Sequence, residues 1–147
     1  MIVNRHSISK VLMFFLILFL SSCALLGGFS AKSHEHVTAI KAAHLKFIDT
    51  FTEGKDKSWD IKKFTDESDK IDLKFREALE FSKSLDDKLR TSNIQLLKEI
   101  FEEDQKNIRD KKRLLTKVEA DNLSKPSGQA YDRVVKGECA RPGAACK

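Results

Sequence analysis

Three histidines, His34, His36 and His44, stand close together in this chain of 147 residues. A metal site would need them on one face with a further ligand. On a helix, His34 and His36 point to different sides, and His36 and His44 lie about two turns apart. No His-Glu-x-x-His and no Glu-x-x-His spacing occurs. Metal binding is therefore not expected, and His44, which falls inside an apolar stripe, is expected in or beside the core. Asp66, Glu67, Asp69 and Asp72 are dense but interleaved with Lys70 and Lys74, and no calcium loop with its central glycine surrounds them. These acids, and Glu99, Glu102, Glu103 and Asp104, read as solvated helix faces. Carboxylates that do acid–base work need a cleft. Nucleophile motifs, phosphate-binding glycine loops and zinc clusters are absent from the sequence. No catalytic residue, no cofactor and no small-molecule substrate are expected.

The remaining reactive groups are three cysteines. Cys23 follows a basic start (Arg5, Lys10), ten consecutive apolar residues from Val11 to Leu20, and Ser21-Ser22. That order of basic, apolar and small residues marks a secretory signal. The ending Leu20-Ser21-Ser22-Cys23 resembles the lipobox of bacterial lipoprotein signal peptides, and the resemblance covers residues 1–23. It implies that residues 1–22 are removed and that Cys23 receives diacylglycerol on its thiol and an acyl chain on its amino group. Ala24, where inner-membrane lipoproteins of Gram-negative bacteria commonly carry Asp, implies sorting to the outer membrane. The competing reading is an uncleaved anchor: residues 11–31 hold no charge and are barely long enough to span a bilayer. Both place the body outside the cytoplasmic membrane. Cys139 and Cys146 would then meet an oxidising compartment and are expected to pair as a structural clip, since there is no Cys-x-x-Cys and no βαβ pattern.

The elements that must position these residues read as helices. Residues 23–33 form a tether. Val37, Ile40, His44, Phe47 and Phe51 keep 3-4 spacing, which predicts a helix from Ser33, as N-cap, to Glu53, stopped by Gly54. Ile61, Phe64, Ser68, Ile71, Phe75, Ala78 and Ser82 predict a second, from Trp59 to Ser84, capped by Ser58 or Asp60. A third starts between 84 and 92 and carries Ile94, Leu97, Phe101, Ile108, Leu115 and Val118 to Asp121 or Asn122. From Ser124 the cluster Lys125-Pro126-Ser127-Gly128 reads as a breaker. The tail, 124–147, is expected to be irregular, with Tyr131 docked on the body. The expected fold is all-α: an antiparallel three-helix bundle over 34–123, with a lipidated tether and a disulfide-clipped, basic tail.

Charge sharpens the functional reading. The chain has 27 Lys+Arg against 22 Asp+Glu, for a net +5. Arg5 and Lys10 lie in the signal segment, and the remaining excess falls in residues 124–147, so the helical body is balanced. The basic run Arg109, Lys111, Lys112, Arg113 is flanked by acids, which argues against nucleic acid and leaves an envelope partner as its candidate contact. The sequence suggests a non-enzymatic, lipid-anchored helical interaction module of the cell envelope, facing the periplasm or the surface. The alternative is an exclusion, inhibitor or immunity lipoprotein of phage or plasmid type, acting on an envelope or toxin protein.

Overall fold

In the computed structural model, which describes residues 27–146, the apolar stripes fold as four helices: α1 Ala31–Thr50, α2 Ile61–Ser84, α3 Lys88–Lys111 and α4 Lys117–Cys139. The antiparallel three-helix bundle expected from the stripes is not what forms. Two local features account for the difference.

The first is a break inside the expected third helix. Lys112 ends α3 in the left-handed conformation, with φ of 51°. Thr116 then opens α4 through a capping box: its hydroxyl accepts from the Glu119 amide, and the Glu119 carboxylate accepts from the Thr116 amide at 2.8 Å. Such reciprocal capping satisfies amides that a helix start leaves without partners. No glycine marks the stop, so the charged run reads as continuous helix. Between the two helices, Leu115 donates to the Phe51 carbonyl and Glu53 donates to the Leu115 carbonyl, both at 2.8 Å. This bridge clamps the link to the end of α1.

The second feature is α4 itself, which runs through Pro126, Gly128 and Gly137 to Cys139. The tail expected to be irregular is therefore helical up to its first cysteine. Propensity is a weak prior that packing overrides. Here Ala120, Ser127 and Tyr131 are buried along α4, and α1 packs against α4 and α2, while α3 packs against the same two.

Smaller shifts follow from capping. Helix α1 starts earlier than expected because Ser30, not Ser33, is its cap, accepting from the Ser33 amide at 3.2 Å. Asp60 caps α2 through the amides of Lys62 and Lys63. Asp87 caps α3, inside the range expected for its start. One end of the bundle gathers the start of α1, the α2–α3 turn and the end of α4. The end of α1 and the α3–α4 link meet at the other.

Phe101 lies at the centre of the core, fully buried, with its ring 5.0 Å from His44, 5.6 Å from Phe47 and 5.8 Å from Phe75. It joins α1, α2 and α3. Phe101→Ala is expected to lower the free energy of unfolding by about 3–5 kcal/mol, read as a reduced urea midpoint; a loss under about 1 kcal/mol would contradict this placement.

Candidate functional site

Among the described residues, two polar constellations lie inside the protein, and neither is legible as a unit in the sequence. The first occupies the bundle end that receives the tether. Asp87 is set there by the α2–α3 turn, where Asp86 adopts a left-handed φ of 50°. Arg90, in the first turn of α3, donates to both carboxylate oxygens of Glu138 at 2.9 and 2.8 Å and lies 3.1 Å from Asp87. Arg141, just past α4, donates to Asp87 at 2.6 Å and lies 3.2 Å from Glu138. All four side chains are buried. Two cations and two anions thus close a neutral ring, the condition under which charge can leave water without a large net cost.

The ring also binds backbone. Arg141 donates to the Gly27 carbonyl at 2.9 Å and Arg90 to the Gly28 carbonyl at 3.1 Å. The Phe29 amide donates to the Pro142 carbonyl at 2.9 Å. Gly27 fits because a Cβ there would stand 2.8 Å from the Asp87 carboxylate. A disulfide joins Cys139 and Cys146 beside the ring, as expected from the sequence. Gly143, with φ of 81°, makes the turn that lets the chain double back between them. Burial by itself would raise the Asp87 carboxyl; the Arg90 amide and the Arg141 guanidinium outweigh it and hold the group below the usual carboxylate range.

The second constellation is central. The His44 ring is fully buried, its Nδ1 3.1 Å from the Tyr131 hydroxyl and its Nε2 3.2 Å from Asp104 Oδ2. The latter contact lacks hydrogen-bond alignment. Ser127 donates to Asp104 Oδ2 at 2.6 Å. Burial, and then the nearby Asp104, pushes the Tyr131 hydroxyl well above its ordinary range. The Tyr131 hydroxyl and His44 Nδ1 share one hydrogen bond whose donor depends on the histidine tautomer. Serine, histidine and aspartate are here the ingredients of a nucleophilic triad, but not its connectivity. A triad pairs the serine with the histidine; here Ser127 bonds the carboxylate. The group ties α1, α3 and α4 together in a place sealed from solvent. His44 thus lies in the core, as the stripe suggested, and Tyr131 docks there, carried by a helix.

The remaining candidates lie apart. His34 approaches Cys139 and Cys146, with donor atoms within 4.8 Å of one another, but both sulfurs are tied up in the disulfide. Of the basic run, Lys111 and Arg113 bind the Glu119 carboxylate at 2.7 and 2.8 Å. These two, and the Thr116 amide, depress Glu119 far below the usual carboxylate range. Arg109 and Lys112 are exposed beside them. Leu20, Ser21, Ser22 and Cys23 lie outside the described residues. Among the described residues no helix is long and apolar enough to cross a membrane.

The chain matches no family model, no curated protein and no solved structure.

Two outcomes are expected. Arg90→Met leaves the buried Glu138 and Asp87 with Arg141 as their one cation, an unbalanced buried charge that should cost about 3–5 kcal/mol in chemical denaturation, whereas Lys88→Met, at an exposed position of the same first turn, should change little. A carboxyl held low in the folded state stabilises the fold above its unfolded value, near 4. That contribution fades as pH falls through 4 towards the lower folded value. The stability gap between the wild type and Asp87→Asn should accordingly narrow from pH 6 to pH 3; a gap independent of pH would exclude the ionised Asp87 as its source.

Proposed function

We propose that this chain is a lipid-anchored lipoprotein of the bacterial cell envelope whose four-helix body is a non-enzymatic protein-interaction module. The observation that carries the reading is the lock on the tether: Gly27 and Gly28, four and five residues after Cys23, are bonded to Arg141 and Arg90 of the buried ring. A segment that only linked a body to an anchor would not need such bonds. A body meant to stand at a set height and angle on a membrane does. Two signals strengthen the anchor reading: the lipobox-like ending at Cys23, and a disulfide at the same end, which suits an oxidising compartment. A protein carrying diacylglycerol and an N-acyl chain is held stably on a bilayer. Ala24 favours the outer membrane.

The interaction reading rests on where the polar groups are used. The strongest hydrogen-bonding side chains are consumed inside the fold, in the ring and around His44. One open depression is bordered by the charged side chains Asp69, Asp72, Arg76 and Lys98. Recognition would then fall on helix surfaces. The end away from the tether offers Arg109 and Lys112, together with exposed Ile61 and Val118. An envelope protein with an acidic face is the partner whose chemistry fits.

Cys23→Ser should move the protein from the membrane to the soluble fraction, and intact-mass analysis of the wild type should show the acyl chains on an N-terminal Cys23. An unacylated, full-length N-terminus would refute the anchor. Arg109→Glu with Lys112→Glu, which spares the Glu119 pairs, should weaken capture of the partner in crosslinked envelopes; unchanged capture would remove that tip as the contact.

A further inference from the structure

The corner between α2 and α3 exposes two large aliphatic side chains close in sequence to a lysine: Leu85 is 42% and Leu89 49% exposed, and Lys88 lies between them. Exposed aliphatic side chains also occur at the other end, where Ile61 is 58% and Val118 70% exposed, so what sets this corner apart is its place beside the tether. The two leucines flank Asp87, the residue that Arg141 holds together with the Gly27 carbonyl. The corner and the tether therefore leave the bundle at the same place.

Chain length then restricts what can cover this corner. Gly27 is four positions after Cys23, and an extended chain spans at most about 3.3–3.6 Å per residue. A lipidated Cys23 thus keeps Gly27 within roughly 14 Å of the headgroup layer. The Arg141 and Arg90 bonds fix Gly27 and Gly28 on this end of the bundle. The exposed charge at this end is close to balanced, with a small excess of lysine. Lys88 and Lys136 make no ion pair among the described residues, Lys83 is neutralised by Glu80, and the acids Asp87 and Glu138 are buried in the ring. Asp86 is the exposed acid of the corner. Aliphatic side chains beside lysines are the composition by which peripheral segments enter the headgroup boundary.

We infer that the α2–α3 corner, through Leu85, Lys88 and Leu89, rests against the bilayer that carries the anchor, so that the α3–α4 link faces away from it. This rests on the lipoprotein reading above. The occupant is the lipid surface, not a second protein.

The native Trp59 is the chain's one tryptophan and packs on Phe51 at the opposite end, so it reports the far side of the body. The test uses full-length lipidated protein in vesicles of phosphatidylethanolamine and phosphatidylglycerol, with and without brominated phospholipid as a contact quencher. In a Trp59→Phe background, Leu89→Trp places the reporter in the corner, and Val118→Trp places one at the other end, where Val118 is 70% exposed. The corner reporter should be quenched at least about twofold, as expected for a side chain in the headgroup boundary, while the far-end reporter and the native Trp59 stay unquenched. Equal quenching at both ends, quenching only at the far end, or none in the corner would overturn the inference. The intact mass tests the anchor separately. Coupling the chain from Cys23 onward to a maleimide lipid repeats the measurement with an attachment of known chemistry, so a missing acyl chain and a wrong orientation give different results.

Discussion

The paired burial of Asp87, Arg90, Glu138 and Arg141 is the constraint on which the arrangement of the molecule depends. Each of these charges alone would cost several kcal/mol to remove from water. Closed into a ring, with the guanidinium groups also taking the carbonyls of Gly27 and Gly28, they become tolerable together. The ring joins segments far apart in the sequence: the tether, the start of α3 and the end of α4. It sets the register of α3 against α4 at one end, as the Phe51, Glu53 and Leu115 backbone bridge does at the other.

Between these two ends the core mixes aromatic packing with one polar group. Phe47, Phe75 and Phe101 approach at ring distances of 5.6 to 5.8 Å, a range in which aromatic pairs attract beyond their buried area. The His44, Tyr131, Asp104 and Ser127 cluster adds direction to that packing. Polar groups in a low-dielectric interior are costly unless partnered, so this cluster penalises any slip of α1 against α3 or α4. Chemistry that looks reactive by composition here ties helices together inside the fold.

Parts of this are legible in the residues. The 3-4 stripes of α1 and α2 are intact, and Asp60 and Gly54 bracket their connection, so both helices can be read to within a few residues. Helix α3 is harder. Its core-facing positions include Asp104, three residues after Phe101 and four before Ile108, and an aspartate in that place reads as part of a solvated run. The missing partner, His44, is sixty residues away, and no local pattern links them. Arg90 and Glu138 are hidden for the same reason: a charge counts as core only when its counter-charge is in view. The basic run at 109–113 divides in a way its composition does not show, because Lys111 and Arg113 serve the cap of α4 through Glu119, Arg109 lies 3.6 Å from Asp110, and Lys112 is exposed at the end of α3.

What the sequence determined by itself is local and periodic. It specified amphipathic helices, a pair of cysteines close enough to bridge, and, in residues 1–23, an order of charge, apolar run and cysteine that suggests export and anchoring. The number of helices, the fate of the tail and the way the tether is held were decided by tertiary structure. Pro126, Ser127 and Gly128 disfavour a helix in isolation, yet burial of Ala120, Ser127 and Tyr131 against the body outweighs that preference. The charge excess of residues 124–147 also changes meaning: Arg141 is neutralised inside the ring and does not face a partner. Propensity acts within a few residues, whereas desolvation and ion pairing act on whatever the folded chain brings together, and here the second set decided.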